Sequence, residues 1–478
     1  KVLLDHCVPK PLKNLLTGHE ICHAYELGWH ELQNGDLLAK AEQTFQVFVT
    51  SDKNIAHQKT WSGRKMAVLV LWTNNWPELR IQSTRIALEL DSLIQGLGAK
   101  WTNLRRSPPL RMKKLLPIFL FSLVASFLHS AEPWARALTP WSWSFPRDHG
   151  AHPEFKTEWW YLTGNLDDEK GNPYGYELTF FRHGLQPKPT QPDSAWSIRD
   201  IYFAHLAITD VQSRRFIFSE KLSRGALGEV EISQKDMQVR IADWSLQRKS
   251  DSSFQMAASD PTAGIGLKLS ATPLKPLTFQ GEKGLSRKSA TPGNASHYYS
   301  FTRLQTSGQL ELGGKKIPVK GLSWFDHEFS TSALGEDQEG WDWFCLQFDS
   351  GDELMLYRMR NPGNRTDPAS SGTWIPARGP SLPLKSSEFT ITPIEEWKTA
   401  SGAIYPSGWN ISVPSLQLSG EVQPLLLDQE LRLKRTSNIR YWEGACRFTG
   451  TRNGKAISGR GYTELTGYAS PIGQGMKE

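Results

Sequence analysis

Cysteine is scarce. The 478 residues hold four, with Cys7 and Cys22 in the front part and Cys345 and Cys446 in the rear. Neither pair has the short spacing of a zinc site, and so few cysteines exclude a disulfide-built scaffold. Only Cys345 and Cys446 are placed to pair, and only if the rear part meets an oxidising compartment. A large excess of one charge is also lacking: the net charge of +6 is modest for this length and does not suggest a nucleic-acid carrier. No apolar run reaches bilayer length. The longest, residues 115–128, would rise only about 21 Å as a helix, short of the roughly 20 residues that cross a membrane core. Absent too are a G-x-S-x-G elbow, a Walker loop, an H-E-x-x-H helix and a dinucleotide fingerprint followed by an acidic residue. What remains, 38% hydrophobic and 22% charged residues, describes ordinary globular protein with length for about three domains.

The short apolar run has a context. Arg105, Arg106, Arg111, Lys113 and Lys114 precede it, and Ser130, Ala131, Ala135 and Ala137 follow it. A basic front, an apolar core and small residues are the layout of a secretory signal peptide. A helix apolar on every face with Pro117 inside it suits a soluble core poorly. The segment 112–131 is therefore expected to make the membrane contact of export, with cleavage after Ala131 or after Ala137. No cysteine follows for a lipid anchor. Either Met112 is the start of the exported protein, or the segment anchors a longer chain whose residues 1–111 stay cytoplasmic under the positive-inside rule. Both place residues 132–478 in the periplasm or outside the cell, with residues 99–111 as a basic linker.

In residues 1–98, VLL, EICHAYELG, FQVFVT and KMAVLVLW read as strands, and PLKNLL, NGDLLAKAEQ and the run 78–97 as helices. That alternation predicts an α/β domain with a mainly parallel sheet. Asp5 and Asp52 fall at the carboxyl ends of strands, where ligands gather on such sheets, and Asp36 opens a helix. Three converging carboxylates would hold Mg²⁺ or Mn²⁺; read structurally, Asp36 is a cap and the other two are turn residues. The stretches LLDHCVP, ELGW, NGDLLAKAE and VFVTSDKN resemble the PIN-like domains related to toxin-type ribonucleases. The resemblance implies a metal-dependent nuclease-like domain acting on RNA, with Asp5, Asp36 and Asp52 as ligands. His6 stands where that group often carries a second acid.

From Trp134 onward the period changes to two, with many short strands between Gly, Pro, Asn and Asp turns. This predicts all-β barrels or sandwiches. Fourteen of the 19 tryptophans lie here. They either fill the core or line a pocket for a hydrophobic molecule, with Trp159, Trp160, Tyr161, Trp341 and Trp343 as candidate ligand-binding residues. EWWYLTGNLDDEKGNPYGYELTFFR and GWDWFCLQFDSGDELMLYRMR share a plan of aromatic strand, acidic turn and second strand ending in Arg. Two related barrels are expected, at 134–328 and 329–478. In GLSWFDHEFS, alternation puts Trp324, Asp326 and Glu328 on one strand face. An aspartate beside a tryptophan in apolar surroundings should keep its proton and donate it to an alkene, the carbocation being stabilised by aromatic faces. His297 and Tyr299, on one face of their own strand, would orient the acid or position water; the structural alternative is a buried Asp-His pair.

FPRDHGAHPEFKTEWWYLTGNL, GNASHYYSFTRL, GLSWFDHEFS, GWDWF, YWEGA and GYTELTGYA, in order through residues 141–470, resemble the lipocalin-like family of carotenoid 1,2-hydratases (hydroxyneurosporene synthases) and AttH-type proteins. The resemblance implies tandem lipocalin-like barrels needing no cofactor. In the hydratase branch the acid maps onto Asp326 and its helpers onto His297, Tyr299 and Trp324, with the Trp and Tyr of the last two positions exchanged. The AttH-type branch implies export, association with an ABC transporter and binding of a hydrophobic, isoprenoid or carotenoid-like, molecule.

Overall fold

An apolar tripeptide with no polar alternation suits a strand covered on both faces, and Val2–Leu4 is fully buried in a parallel sheet. The computed structural model describes residues 1–16, 19–29, 32, 34–52, 66–81, 83, 86–87, 89–90, 93, 101–103, 134–187, 198–332, 334–335, 337–433, 436 and 440–469. The expected export segment lies outside them. The chain divides into two units, Lys1–Ala125 and Ser126–Glu478.

The first unit has five parallel strands in the order Ile21–His23, Val2–Leu4, Val47–Thr50, Ala67–Val70 and Trp101–Asn103. The last of these falls in the stretch expected to be linker. The expected strand EICHAYELG stops at His23. There the ring accepts from the Tyr25 amide, the Glu26 carboxylate takes the His23 amide, and Ala24–Leu27 becomes a 3₁₀ turn closed by left-handed Gly28. Reciprocal capping outweighs strand propensity in that segment. The helix Asn34–Ala41 forms as expected.

The second unit is almost wholly antiparallel β. Its first sheet has thirteen strands, curls into a barrel-like form, and is centred on two 18-residue strands, Ala295–Leu312 and Lys315–Ser332. These form one hairpin across Gly313 and Gly314, both with positive φ, as a two-residue turn of this hand requires. Lys315–Ser332 pairs in turn with Thr157–Asp168. The predicted strand MQVRIADWSL is instead two, Gln238–Ile241 and Trp244–Arg248, folded back at Ala242 with φ +54°. The second sheet has eleven strands and makes a half-barrel rather than a second closed one. The predicted boundary at 328/329 falls inside Lys315–Ser332; the next strand is Gly340–Phe348. The two echoed segments are hairpins, one in each sheet.

Each sheet buries one face in its own core. Trp160, Tyr176, Trp244 and Phe325 belong to the first core, Phe344, Trp374, Trp409 and Trp442 to the second. The other faces meet at a seam, where Tyr161, Tyr298 and Trp324 of the first sheet pack with Trp343, Met355, Tyr357 and Tyr462 of the second. Backbones approach closely there: a Cβ on Gly175 would stand 2.6 Å from that of Ala445. Cys345 faces the seam and Cys446 the second core, both as free thiols, so the pairing that the sequence left open is not formed.

Candidate functional site at the seam

Side chains on directly opposed residues of neighbouring strands share a sheet face. Asp326 is opposed by Ser300 on one side and Tyr161 on the other, Glu328 by Tyr298 and Trp159, and Trp324 by Thr163. This face lies at the seam. Asp326 is buried there; Ser300 Oγ donates to its Oδ1 at 2.5 Å, Trp324 Nε1 to Oδ1 at 2.7 Å and Tyr298 Oη to Oδ2 at 2.8 Å. Burial pushes its carboxyl up to about 7; the three donors pull against that, and the charge of Glu328 adds to it. Trp343 Nε1 reaches the Tyr298 hydroxyl at 3.3 Å, and its ring meets those of Trp324 and Tyr161 edge to face.

More acids line the same layer. Burial raises Glu464, held by Trp341 Nε1 at 2.9 Å, to about 7, and drives Glu443 and Glu177 well above the carboxylate range. Tyr161 donates to Glu443 at 2.8 Å. Among the described residues Glu328 is the acid of this layer in an ion pair, with the Lys288 ammonium at 3.3 Å, which also sits over the rings of Tyr298 and Tyr357. The seam is thus an aromatic layer in which burial pushes several carboxyl groups up.

The expected helpers lie on the other face. Tyr299 opposes His327, and His297 opposes Phe329. Tyr299 Oη binds His149 Nδ1 at 2.7 Å and His327 Nδ1 at 3.2 Å. His327 Nε2 reaches Glu158 at 3.0 Å, and Glu158 also binds His152 Nδ1 at 2.9 Å and Arg182 Nε at 3.2 Å. His152, Glu158 and His327 are the described residues whose ligand-type atoms cluster within 4.8 Å; Arg182 already supplies the positive charge beside them. His297, its pKa lowered by burial to about 4, sits among Trp141, Phe155 and Phe329. The residues that touch Asp326 besides Trp324 are therefore Tyr298 and Ser300, not His297 and Tyr299.

The aromatic candidates divide the same way. Trp159, Tyr161, Trp341 and Trp343 belong to the seam cluster, whereas Trp160 is in the first core, stacked on His327 and donating to His149 O. A cleft of about 710 Å³ opens where the segment 275–283 of the first sheet meets 375–381 of the second, with Leu277, Thr278, Phe279 and Ile375 in its walls. Thr278 opposes Ser300, and Gln280 Nε2 donates to Ser300 Oγ at 2.9 Å. The Ser300 hydroxyl thus joins Gln280, buried behind the cleft-lining Phe279 and Gly281, to Asp326.

In the first unit, Asp5 and Asp52 follow adjacent strands as expected, and Asp36 is exposed in the first turn of its helix. Asp5 is buried and its oxygens take Thr50 Oγ1 at 2.6 Å, Cys7 Sγ at 3.1 Å and the His6 amide at 2.7 Å. The donor atoms of Asp5, Asp36 and Asp52 do not fall in one group within 4.8 Å.

Comparison with known proteins bears on the second unit. Residues 136–468 match the AttH-like family. A crystal structure of an AttH protein from Nitrosomonas europaea is 32% identical, covers 70% of this chain and 99% of its own, and superposes with a TM-score of 0.63. Kievitone hydratase from Nectria haematococca, 13% identical over 68% of this chain and 93% of its own, shares the fold with a TM-score of 0.53. No curated protein matches, and none of these comparisons supports the PIN-like reading of residues 2–90. With its match over 333 residues of this lipocalin-like unit, the chain belongs to the AttH-like family.

Proposed function

We propose that the second unit binds a hydrophobic small molecule at the seam, in the cleft between residues 275–283 and 375–381. The observation that carries this reading is the cleft itself: about 710 Å³, in the range of small-molecule sites, with Leu277, Phe279 and Ile375 among its lining residues. Neither core offers comparable support, because the tryptophans there are packing. The test is to purify the chain and analyse organic extracts by absorbance and mass spectrometry. A co-purifying lipophile that is lost when Phe279→Asp puts a charge in the cleft wall supports the reading; its retention in that variant defeats it.

A second reading is an enzyme, a cofactor-independent hydratase like the fungal protein that shares the fold. Asp326, buried and held near neutrality, favours it. The Asp326 proton would add to one alkene carbon, leaving a tertiary cation facing Trp324, Trp343 and Tyr298. Water would add its oxygen to the cation and release its proton to the Asp326 carboxylate, restoring the acid. Hydroxylated product that disappears in Asp326→Asn identifies hydration; an unchanged ligand in both identifies binding.

Export through residues 112–131 and association with an ABC transporter accompany the binding reading. Residues 132–478 would then be periplasmic or secreted and residues 1–111 cytoplasmic, which fractionation with antibodies to each part decides. Among the described residues no helix is long and apolar enough to cross a membrane. For residues 1–98 the proposal is a PIN-like fold cleaving RNA with Mg²⁺ or Mn²⁺ on Asp5, Asp36 and Asp52. Cleavage that survives Asp5→Asn eliminates it.

A further inference from the structure

The walls of the seam cleft carry three cations, Lys275, Lys283 and Arg378, and no acidic residue. One is spent on the fold. The Lys275 ammonium binds Glu353 at 2.7 Å, Gly351 O at 2.6 Å and Pro376 O at 3.0 Å, tying the two sheets together. The other two differ. Lys283 and Arg378 are exposed, and among the described residues neither side chain has an ion pair or hydrogen bond. They come from opposite sides of the seam, one from each sheet's loop. Both loops are anchored. Trp143 Nε1 donates to Lys283 O at 3.1 Å, with Gly281 and Gly284 in the left-handed region on either side, and the Ala377 amide donates to Asp352 at 2.7 Å. Two positive charges without an ion pair, lining the same cleft as Leu277, Phe279 and Ile375, complement one kind of molecule.

We infer that the cleft selects a monomeric amphiphilic anion, an apolar chain ending in a carboxylate, with Lys283 and Arg378 holding the head group and the Leu277–Phe279–Ile375 wall holding the chain. This rests on the reading of the cleft as the ligand site and narrows it: a neutral hydrocarbon would leave both cations unpaired. Exposed charge pairs are individually weak, so the selectivity to expect is roughly tenfold between anion and neutral analogue at low salt, shrinking as salt screens the pairs.

The experiment titrates the full chain with monomeric oleate and, separately, oleyl alcohol, following tryptophan fluorescence at low and high salt. It is repeated on the double variant Lys283→Gln, Arg378→Gln, with thermal melts to show that its fold is intact. Tighter binding of oleate than of the alcohol, lost in the double variant and at high salt, is the expected result. Equal binding of both by the wild type, or an oleate preference that survives in the variant, overturns the anion selectivity and leaves hydrophobic binding standing. Binding of neither overturns the cleft as ligand site and the selectivity with it. Co-sedimentation with phosphatidylglycerol vesicles in the absence of monomer binding also overturns the inference, because the cations would then serve a membrane surface.

Discussion

Ser300 stands directly opposite Asp326 and donates to it at 2.5 Å, while Tyr299, one residue earlier, points into the other side of the sheet and binds His149 and His327. That parity separates two tyrosines adjacent in sequence. Tyr298→Phe removes a donor that stabilises the Asp326 carboxylate, so the Asp326 midpoint should rise further above about 7 and stability fall by about 1 kcal/mol. Tyr299→Phe should leave that midpoint where it is. Infrared titration of the carboxyl band in the two variants checks this, and a shift in the Tyr299 variant alone would mean the faces are assigned wrongly.

Buried acids at the seam make stability depend on pH in a defined direction. Above its ordinary 3.8 the unfolded chain releases the Asp326 proton, while the folded chain keeps it until about 7. At this group the folded state therefore binds more protons in that window, and the Asp326 contribution to stability falls as pH rises from about 4 to about 7, then levels, while His297, lowered by burial from 6.5 to about 4, contributes in the opposite sense. Glu464, raised from 4.5 to about 7, acts in the same sense as Asp326. For Asp326 the loss is on the order of 4 kcal/mol, from about three pH units at about 1.4 kcal/mol each. Thermal melts of the wild type and Asp326→Asn across pH 4 to 8 should show the wild type losing stability relative to the variant as pH rises. A wild-type stability that climbs relative to Asp326→Asn from pH 4 to 7 contradicts the raised Asp326 carboxyl.

The sequence carried the β architecture because period-two alternation is a direct image of a sheet with two differently packed faces, as in Thr157–Asp168 and Pro173–Gly184. It also carried Asp326, through its tryptophan neighbour. It did not carry the partners of Asp326. Counted from the Gly313–Gly314 turn, an unbroken ladder would set Phe301 opposite Asp326 and bring His297 and Tyr299 to the acid's face. An irregularity between Phe301 and Leu304 inserts one residue and reverses the parity, so Ser300 and Tyr298 arrive instead. Nothing in HYYSFTRL marks that bulge. The seam was hidden for a related reason. Both faces of these strands are apolar or aromatic, which is legible, but which face meets a second sheet is set by contacts such as Tyr161 with Glu443, 282 residues apart. In the first unit, local capping at His23 defeated strand propensity over a few residues, where short-range hydrogen bonds decide.

The two free thiols of the second unit predict its indifference to reductant. Cys345 and Cys446 occupy opposite faces of the second sheet and burial raises both thiol pKa values, so neither forms a disulfide nor reacts readily in the folded state. The melting temperature should be the same with and without dithiothreitol. A reductant-dependent drop of several degrees would instead require a disulfide and a different packing of the strands Gly340–Phe348 and Arg440–Arg452.

The start of the second unit bears on where an export signal would be cut. Ala135 donates to Glu154 O at 2.9 Å and its carbonyl accepts from Thr331; Arg136 donates to Pro292 O at 2.7 Å; Ala137 is fully buried against Leu285 and Ala295. The Trp134 ring fills the space beside Gly184, 2.2 Å from where a Cβ on that glycine would stand. Cleavage after Ala137 would remove all of these contacts, at a cost of about 3 kcal/mol judged from hydrogen bonds worth about 1 kcal/mol each and the loss of a buried side chain. Cleavage after Ala131 spares them. Amino-terminal sequencing of the exported protein should therefore begin at Glu132. A terminus at Leu138 with an unchanged melting temperature would mean that the segment from Trp134 contributes nothing to the fold.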